Sequence, residues 1–347
     1  MKILGIETSC DETGAAIIEG KKGGNFVDLI SNSLATSLVL HSKTGGIIPE
    51  IAAREQVKFI IPVIKEALGE TGVEDIDAIA VTVGPGLIGS LLVGVETAKT
   101  LSYIYKKPII PVNHLFGHIY ANFIRENPKS EVLNLKLKDV EFPAIALIVS
   151  GGHTDLVLMK NYNDYKWLGG TRDDAAGEAF DKTGRLLNLS YPAGPLIEKL
   201  ASSSQKDIYH FPKPLIDSSD YDFSFSGLKT AVHREIQKVN IADKEIISNI
   251  CFSLQNAIFD VLTTKTLKAA KEYKVKSILL GGGVSANSEL RKRFESVISN
   301  QQSTIKFFVP EKKLSTDNAA MIAAAAFFNQ KEEPWQNVTA NPELYFD

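Results

Sequence analysis

A unit of strand, small polar turn and strand occurs twice in this chain, and it restricts the fold more than any other feature of the sequence. The first copy spans residues 3–18 and the second spans residues 144–159. Apolar residues fill the strands of each copy, and small or polar residues form each turn, which is the pattern of a β-hairpin. The repeat predicts two related lobes, each of which begins with a hairpin.

The segments around the two hairpins alternate between strand and helix patterns, which indicates an α/β fold. Further strands are predicted at residues 27–38, 77–83, 109–112, 277–280 and 305–309, and helices at 49–68, 90–105, 175–187, 196–202, 224–239, 243–273, 289–297 and 318–329. We predict an N-terminal lobe at residues 1–126 and a C-terminal lobe at 127–330, with a helical insertion at about 174–272. The final helix, from residue 315 to 329, is placed so that it can return to the first lobe. The tail at 331–347 is expected to pack loosely on the surface.

Glycine-rich loops follow two of the predicted strands. Ser150-Gly151-Gly152 forms the turn of the second hairpin, and Gly281-Gly282-Gly283 joins a strand to a helix. Glycines allow backbone N–H groups to approach an anion without obstruction from side chains, although a simple tight turn has the same composition.

Two histidines, His114 and His118, follow the predicted strand at 109–112. Residues four apart lie on one face of a helix, so both imidazoles could bind one metal ion, although such a pair also occurs as a packing or surface feature. Zinc proteases require a glutamate directly after the first histidine, and this chain has Leu115 there.

The amino-acid composition does not by itself indicate a class of function. The 347 residues include 38 basic and 41 acidic side chains, so the net charge of −3 does not indicate nucleic-acid binding. A local group of lysines at 265, 268, 271, 274 and 276 is either a solvated helix face or an RNA contact. Cys10 and Cys251 show no metal or redox spacing, and with no recognisable targeting or membrane segment we expect a cytoplasmic protein.

Seven motifs occur in the order found in one family. They are Ile6-Glu7-Thr8-Ser9-Cys10-Asp11-Glu12-Thr13, the pair His114 and His118, Val149-Ser150-Gly151-Gly152-His153-Thr154, Asp173-Asp174-Ala175-Ala176-Gly177-Glu178-Ala179-Phe180-Asp181-Lys182, Phe225-Ser226-Gly227-Leu228-Lys229, Gly281 to Asn287, and Ser315-Thr316-Asp317-Asn318-Ala319-Ala320. The chain resembles the tRNA adenosine threonylcarbamoyltransferases, long named O-sialoglycoprotein endopeptidases, over about residues 1 to 330. The segment from Gly45 to Arg54 resembles the bacterial and organellar branch.

The resemblance implies a bilobal fold like those of actin, the sugar kinases and the Hsp70 ATPase, with two related ribonuclease-H-like lobes and a cleft between them. It implies transfer of a threonylcarbamoyl group from threonylcarbamoyl-AMP to the exocyclic amine of the adenosine next to the anticodon, in tRNAs that read ANN codons, with release of AMP. An adenosine in an anticodon loop is single-stranded, so it can enter a pocket without the opening of a duplex. The implied partners are tRNA, an inactive paralogue of the same fold, a small ATPase and a separate synthase that makes the adenylate, with no membrane.

The resemblance also implies the residues of the site. The metal ligands would be His114, His118 and Asp317, holding one divalent ion that suits iron or zinc. Contacts to the adenylate would come from Ile148, Val149, Ser150, Gly151, Gly152, Asp181, Gly194, Glu198 and Asn287. Ala193 and Glu198 depart from the more frequent glycine and aspartate of the family. Asp317 is expected from the second lobe, so that the metal would hold the two lobes together.

The transfer reaction also requires a group that accepts a proton. Attack by the amine needs a proton acceptor, and Asp11 or Glu12 in the first hairpin turn is the candidate, with ordinary turn polarity as the alternative. A helix N-cap is the alternative role for Asp317. Two other functions compete with transfer to tRNA, namely an ATP-dependent kinase or ATPase of the same fold and a non-catalytic scaffold. Neither uses the two histidines and Asp317.

Overall fold

The computed structural model describes residues 1–126, 139–204, 206–300 and 304–346. The chain forms two compact units. The first unit contains Met1–Val140 and Pro310–Asp347, and the second contains Glu141–Val309. The predicted lobe boundaries were at residues 126 and 330, so this division differs from the prediction mainly at the second boundary, where the chain returns to the first unit about twenty residues earlier.

Each unit contains one β-sheet. The strands, numbered in chain order, are β1 Lys2–Glu7, β2 Glu12–Gly20, β3 Val27–Thr36, β4 Ala78–Gly84, β5 Ile109–Asn113, β6 Ile124–Arg125, β7 Ala144–Val149, β8 Thr154–Met159, β9 Tyr165–Gly170, β10 Ser277–Gly281 and β11 Lys306–Phe308. The strand order is β5-β4-β1-β2-β3-β6 in the first unit and β11-β10-β7-β8-β9 in the second.

The two sheets share one topology. In the first unit β1, β2 and β3 are antiparallel neighbours, whereas β4 and β5 run parallel to β1. In the second unit β7, β8 and β9 are antiparallel neighbours, and β10 and β11 run parallel to β7. The short β6 adds an edge strand to the first sheet alone. The prediction of an α/β fold with two related lobes that each begin with a hairpin is therefore confirmed.

Helices follow the strands in both units. Numbered in chain order, they are α1 Leu38–Thr44, α2 Pro49–Leu68, α3 Ile88–Tyr105, α4 His114–Tyr120, α5 Ala176–Leu186, α6 Gly194–Ala201, α7 Ser226–Ile236, α8 Lys244–Glu272, α9 Ser288–Asn300, α10 Lys312–Ser315 and α11 Ala319–Asn329. Short 3₁₀ helices lie at Val73–Asp75, Ala121–Phe123, Gly283–Ala286 and Trp335–Asn337. Helix α1 was not predicted from the sequence.

The alanine-rich helix α11 packs on strands β1 and β2 of the first unit. A side chain at Gly5 would overlap the carbonyl oxygen of Ala319, and one at Gly20 would overlap the ring of Phe327. Small residues on both surfaces thus let the helix backbone approach the sheet closely, as glycine permits. This packing brings the residues that precede α11 back to the first sheet.

The tail after residue 331 is anchored, so the prediction of loose packing is wrong. Asn341 donates its backbone N–H to Val83 O at 2.7 Å, and Asn113 Nδ2 donates to Tyr345 O at 2.7 Å. The ring of Phe346 packs against Phe116 with centroids 5.4 Å apart. These contacts fix the tail against the ends of β4 and β5.

Helix α8 is the long core helix of the second unit. By length and composition alone it could cross a membrane, but 72% of its apolar window is buried inside the protein. Burial on this scale is the behaviour of the central helix in a large hydrophobic core. Residues along most of its length, including Ile250, Leu254 and Phe259, belong to the core cluster of that unit.

Candidate metal centre and substrate loops

Helix α4 places the two predicted histidines side by side. The helix begins directly after β5, and the side chain of Asn113 caps it by accepting the backbone N–H of Leu115 at 2.8 Å. His114 and His118 are one turn apart, with ring centroids separated by 4.7 Å, and both are buried. The predicted pairing of the imidazoles on one helix face is therefore present.

Asp317 lies next to both histidines. Its Oδ1 is 3.5 Å from His114 Nε2 and 3.3 Å from His118 Nε2, and the three ligand atoms all lie within 4.8 Å of one another. Asp317 belongs to the first unit together with the histidines, so the expectation that it comes from the second lobe is wrong. The N-cap of α11 is Asn318, whose side chain accepts the N–H of Met321 at 3.1 Å, so Asp317 does not cap this helix.

The three side chains fit a metal ion. In a tetrahedral site with bonds of about 2.0–2.1 Å, the ligand atoms are separated by about 3.3 Å, close to the two distances between Asp317 and the histidines. Both ring nitrogens of His118 are buried, and the contact of Nε2 with Asp317 Oδ1 at 3.3 Å does not have the geometry of a hydrogen bond. A metal ion bound between Nε2 and Oδ1 would satisfy this buried polar atom.

Glu7 orients the first histidine. Glu7 is fully buried at the end of β1, where its Oε2 lies 3.0 Å from His114 Nδ1 and accepts the hydroxyl of Thr82 at 2.7 Å. Ser9 N donates to Glu7 Oε1 at 2.5 Å. When Nδ1 carries the proton toward Glu7, Nε2 faces Asp317 with its lone pair, which is the arrangement that supports metal ligation by histidine.

These contacts shift the ionisation of the site. Burial alone would lower the pKa of His114, but the charges of Asp317 and Glu7 outweigh it and raise the pKa to about 9. Burial would raise the pKa of Glu7, but the charge of His114 and the hydrogen bond to it bring that pKa below its ordinary value. Burial lowers the pKa of His118, which favours the neutral imidazole needed for ligation.

The first hairpin turn brings acidic side chains to the same region. Burial, followed by the charges of Asp317 and Asp11, raises the pKa of Glu12 well above its ordinary value. The pKa of the Cys10 thiol is also raised, by burial and then by Asp317 and Asp11, so this cysteine is held as a thiol. Glu12 is the first residue of β2, and Asp11 in the turn is buried. The charges of Asp317 and Asp11 thus both act on the ionisation of Glu12.

The turn of the second hairpin presents its backbone. Ser150 N donates to His153 O at 2.9 Å, and Ser150 Oγ accepts the N–H of His153 at 3.1 Å, which closes the turn. Side chains added at Gly151 or Gly152 would meet no atom within 4 Å among the described residues. Ile148 and Val149 are fully buried in β7, so their side chains are part of the core.

Asp181 holds the segment that contains Gly194. Its Oδ1 accepts the N–H of Ala193 at 2.7 Å. Burial raises the pKa of Asp181, against the lowering effect of its hydrogen bonds to Ala193 and Gly194. A side chain at Gly194, the first residue of α6, would meet no described atom within 4 Å. Asp181 therefore orders the start of α6, and Gly194 leaves open space there.

Glu198 and Asn287 both hold the start of α9. Glu198 Oε1 accepts the N–H of Ser288 at 2.8 Å, at the start of α9. Asn287 Oδ1 accepts the N–H of Glu289 at 2.9 Å, and its Nδ2 donates to Gln255 Oε1 at 3.0 Å. The structure therefore places all the predicted adenylate residues in the second unit and gives several of their polar atoms a partner within the fold.

The five lysines between residues 265 and 276 differ in their exposure to solvent. Lys265 is fully buried, and its Nζ donates to Ser218 Oγ at 2.7 Å, so it cannot contact RNA. Lys268 Nζ donates to the carbonyl oxygens of Ser218 and Ser219 at 2.9 and 2.6 Å. Lys271, Lys274 and Lys276 are exposed. The five lysines therefore do not form one face.

Glu7 is the main site residue that was not identified from the sequence. Its signal was a single charged residue at the end of the apolar run from Ile3 to Ile6. A carboxylate in that position must be paired once it is buried, but the sequence does not reveal that its partner is His114.

Comparisons with known proteins agree with the motifs. The sequence model of the family described as TsaD, tRNA N6-adenosine threonylcarbamoyltransferase, matches residues 28–324. A relative of that name from Persephonella marina is 48% identical over 96% of this chain and 91% of its own length. Relatives with the same name from Dehalococcoides mccartyi and Staphylococcus aureus are 47% and 44% identical, over 94% and 99% of this chain and 93% and 96% of their own lengths.

Solved structures support the fold. The crystal structure of HypF from T. kodakarensis aligns with a TM-score of 0.57 at 14% identity, over 94% of this chain and 47% of that protein. A full-length HypF in a phosphate- and nucleotide-bound form aligns with a TM-score of 0.56 at 12% identity, over 94% and 55%. The chain thus spans about half the length of these proteins, and identities this low speak for the fold alone. The family match and the relatives at 44–48% identity show more: this chain belongs to the tRNA N6-adenosine threonylcarbamoyltransferase family.

Proposed function

We propose that this protein is an acyltransferase that transfers a threonylcarbamoyl group from threonylcarbamoyl-AMP to the exocyclic amine of the adenosine next to the anticodon in tRNAs that read ANN codons. Membership of the family supports the reaction class. The observation that carries the proposal within the structure is the cluster of His114, His118 and Asp317, with Glu7 behind the first histidine. A kinase or a scaffold would have no use for such a cluster.

His114, His118 and Asp317 are the proposed ligands of one divalent ion, iron or zinc. Two nitrogens and one carboxylate oxygen suit either metal and leave coordination positions for substrate oxygens. When bound, such an ion supplies Lewis acidity and a template for phosphate or carbamoyl oxygens. Glu7 fixes the orientation of His114 for this role, because its carboxylate holds Nδ1.

The second unit is proposed to bind the adenylate. Ser150, Gly151 and Gly152 would offer backbone N–H groups to the phosphate, with Ile148 and Val149 supporting them from β7. The other contacts are assigned to Asp181, Gly194, Glu198 and Asn287. Asp181 orders the start of α6 and Glu198 orders the start of α9, so these residues form a preorganised frame rather than separate contacts.

The proton of the attacking amine is assigned to Glu12 or Asp11. The amine nitrogen forms a bond to the carbamoyl carbon, the bond from that carbon to the phosphate oxygen breaks, AMP leaves, and the carboxylate takes the proton. Burial, followed by charge repulsion from Asp317 and Asp11, raises the pKa of Glu12, so its carboxylate is a stronger base than that of an ordinary glutamate.

The proposal includes partners and a location. The names of the relatives indicate an adenosine of tRNA as the substrate, and we propose that this adenosine lies in the anticodon loop. We further propose an inactive paralogue, a small ATPase and a synthase that supplies the adenylate as partners, and a cytoplasmic location. Lysines that remain exposed at 271, 274 and 276 are available for RNA, unlike Lys265.

Mass spectrometry of digested tRNA tests the function. The protein with its partners, tRNA, ATP, threonine and bicarbonate should produce threonylcarbamoyladenosine, and His114→Ala should not. The matched control is His210→Ala, which removes an exposed histidine of the second unit and should retain activity. Absence of the modified nucleoside with the unaltered protein, or full activity of His114→Ala, would contradict the proposal. Hydrolysis of ATP by the protein alone would favour the kinase or ATPase alternative.

A further inference from the structure

The turn between β1 and β2 is held by its carbonyl oxygens. This turn carries Asp11 and leads into Glu12, the two proposed proton acceptors. The carbonyl oxygens of the five residues from 8 to 12 all accept hydrogen bonds from other parts of the first unit. A turn with every carbonyl engaged has little freedom to move, because each movement breaks a buried hydrogen bond.

One side chain, Gln56 of α2, engages every second carbonyl of this turn. Its Nε2 donates to Glu12 O at 2.8 Å and to Cys10 O at 3.0 Å, with a longer contact of 3.4 Å to Thr8 O. Gln56 is almost fully buried. Its Oε1 is buried without a hydrogen bond to any described residue, because the N–H groups of the amide face the hairpin turn and the oxygen faces away from it.

The carbonyl oxygens of Ser9 and Asp11 accept hydrogen bonds from backbone N–H groups, and that of Asp11 also accepts one from a hydroxyl. Leu87 N donates to Ser9 O at 2.8 Å, and Ser37 donates to Asp11 O from its N at 3.1 Å and from its Oγ at 3.0 Å. The hydroxyl of Ser90 shares Cys10 O at 3.0 Å. Gln56 is therefore the one group among the described residues whose side chain joins the first, middle and last carbonyls of the turn.

We propose that Gln56 is a positioning residue for the transfer reaction. It acts through the backbone of the turn and holds the carboxylates of Asp11 and Glu12 in the geometry needed to accept the proton of the amine. This inference rests on the proposed function. A displacement of about 1 Å in a reacting group can lower a rate by about 10²-fold, so loss of the donor should affect the chemical step more than binding.

Gln56→Met removes both N–H donors and keeps the length of the side chain. We expect the kcat for threonylcarbamoyladenosine formation to fall at least about tenfold, with the KM for tRNA and the metal content of the protein unchanged. Gln56→His retains one N–H donor and should restore part of kcat. The control Lys65→Gln changes an exposed residue of the same helix and should behave like the unaltered protein.

A kcat of Gln56→Met equal to that of the unaltered protein would overturn the inference. So would a loss of activity that is matched by an equal loss of metal or of folded protein, because that indicates a structural role alone. If Gln56→Met does not fold, Gln56→His decides: a lowered kcat at unchanged KM and metal content supports the inference, and an unchanged kcat overturns it. Failure of the proposed function is distinct, since the unaltered protein would then make no modified nucleoside.

Discussion

The two hairpin turns occupy the same place in two sheets of the same topology, yet they are built in opposite ways. In the first, five carbonyl oxygens accept hydrogen bonds from surrounding groups, and the acidic side chains of Asp11 and Glu12 are the proposed proton acceptors. In the second, Ser150 and His153 close the turn with two hydrogen bonds, Gly177 N donates to Ser150 O at 3.1 Å, and side chains added at Gly151 or Gly152 would meet no described atom within 4 Å. One topology therefore supports a turn that positions side chains and a turn that presents N–H groups.

The ends of the preceding strands show the same contrast. Glu7 pairs with Gly14 in the last register position of β1, and Val149 pairs with Thr154 in the last position of β7. Glu7 is a buried charge that reaches His114, whereas Val149 is an ordinary core residue. The difference between glutamate and valine at equivalent positions thus links the first hairpin to the histidine pair.

The largest expected effect concerns the side chains of the first turn. Glu12→Gln should lower kcat by about 10²–10⁴-fold if Glu12 is the proton acceptor, and Asp11→Asn should do so if Asp11 is. His153→Ala in the second turn should cost less than about tenfold, because that turn acts through its backbone. Single-turnover rates measure all three. Equal losses at Glu12, Asp11 and His153 would remove the distinction between the turns.

The next effect concerns Glu7. Glu7→Gln keeps a hydrogen-bond acceptor but loses the charge that orients His114, so metal affinity should fall by about 10–100-fold. Competition with a chelator measures the affinity, and Glu19→Gln, at an exposed position near the end of β2, is the matched control. Unchanged affinity in Glu7→Gln would mean that the link between β1 and the metal site has no energetic role.

The pH dependence of metal binding follows from His114. Its pKa of about 9 in the metal-free protein lies above the ordinary value of about 6.5, so its pairing with Asp317 and Glu7 is fully present below that ordinary value and is lost as the pH rises through about 9. Metal must displace this proton, so affinity should rise about tenfold per pH unit between pH 7 and 9 and then level off. Titrations with the metal alone at several pH values would show this, and a flat profile would contradict it.

The smallest effect compares two glycines. A side chain at Gly86 would lie 2.5 Å from Ser9 O in the first turn, so Gly86→Ala should lower the free energy of unfolding by about 1–3 kcal/mol. Gly151→Ala has open space and should leave stability unchanged, but it should weaken adenylate binding by up to roughly tenfold, about the value of one hydrogen bond. Thermal unfolding and KM for the adenylate separate the two. A destabilised Gly151→Ala would show that the second turn is also packed.

Local patterns predicted much of the fold and the histidine pair, whereas Asp317 was implied only by the resemblance to the family. The hairpin repeat, the helix at Pro49–Leu68 and the histidine pair follow from periodicity and spacing, which act over a few residues. The membership of Asp317 in the first unit, the pairing of Glu7 and the burial of Lys265 depend on contacts between segments far apart in sequence. Contacts between distant segments produce no periodic pattern in the sequence. The placement of Asp317, the pairing of Glu7 and the burial of Lys265 could therefore not be predicted.

The return of the chain to the first sheet has a consequence for protein synthesis. Asp317 follows His118 by 199 residues, and the whole second unit is translated between them. A nascent chain therefore exposes the two histidines long before the carboxylate emerges from the ribosome. Two histidines alone would bind a metal ion weakly, so at the proposed site the order of the sequence would delay metal loading until the second unit has been made and α11 has packed on β1 and β2.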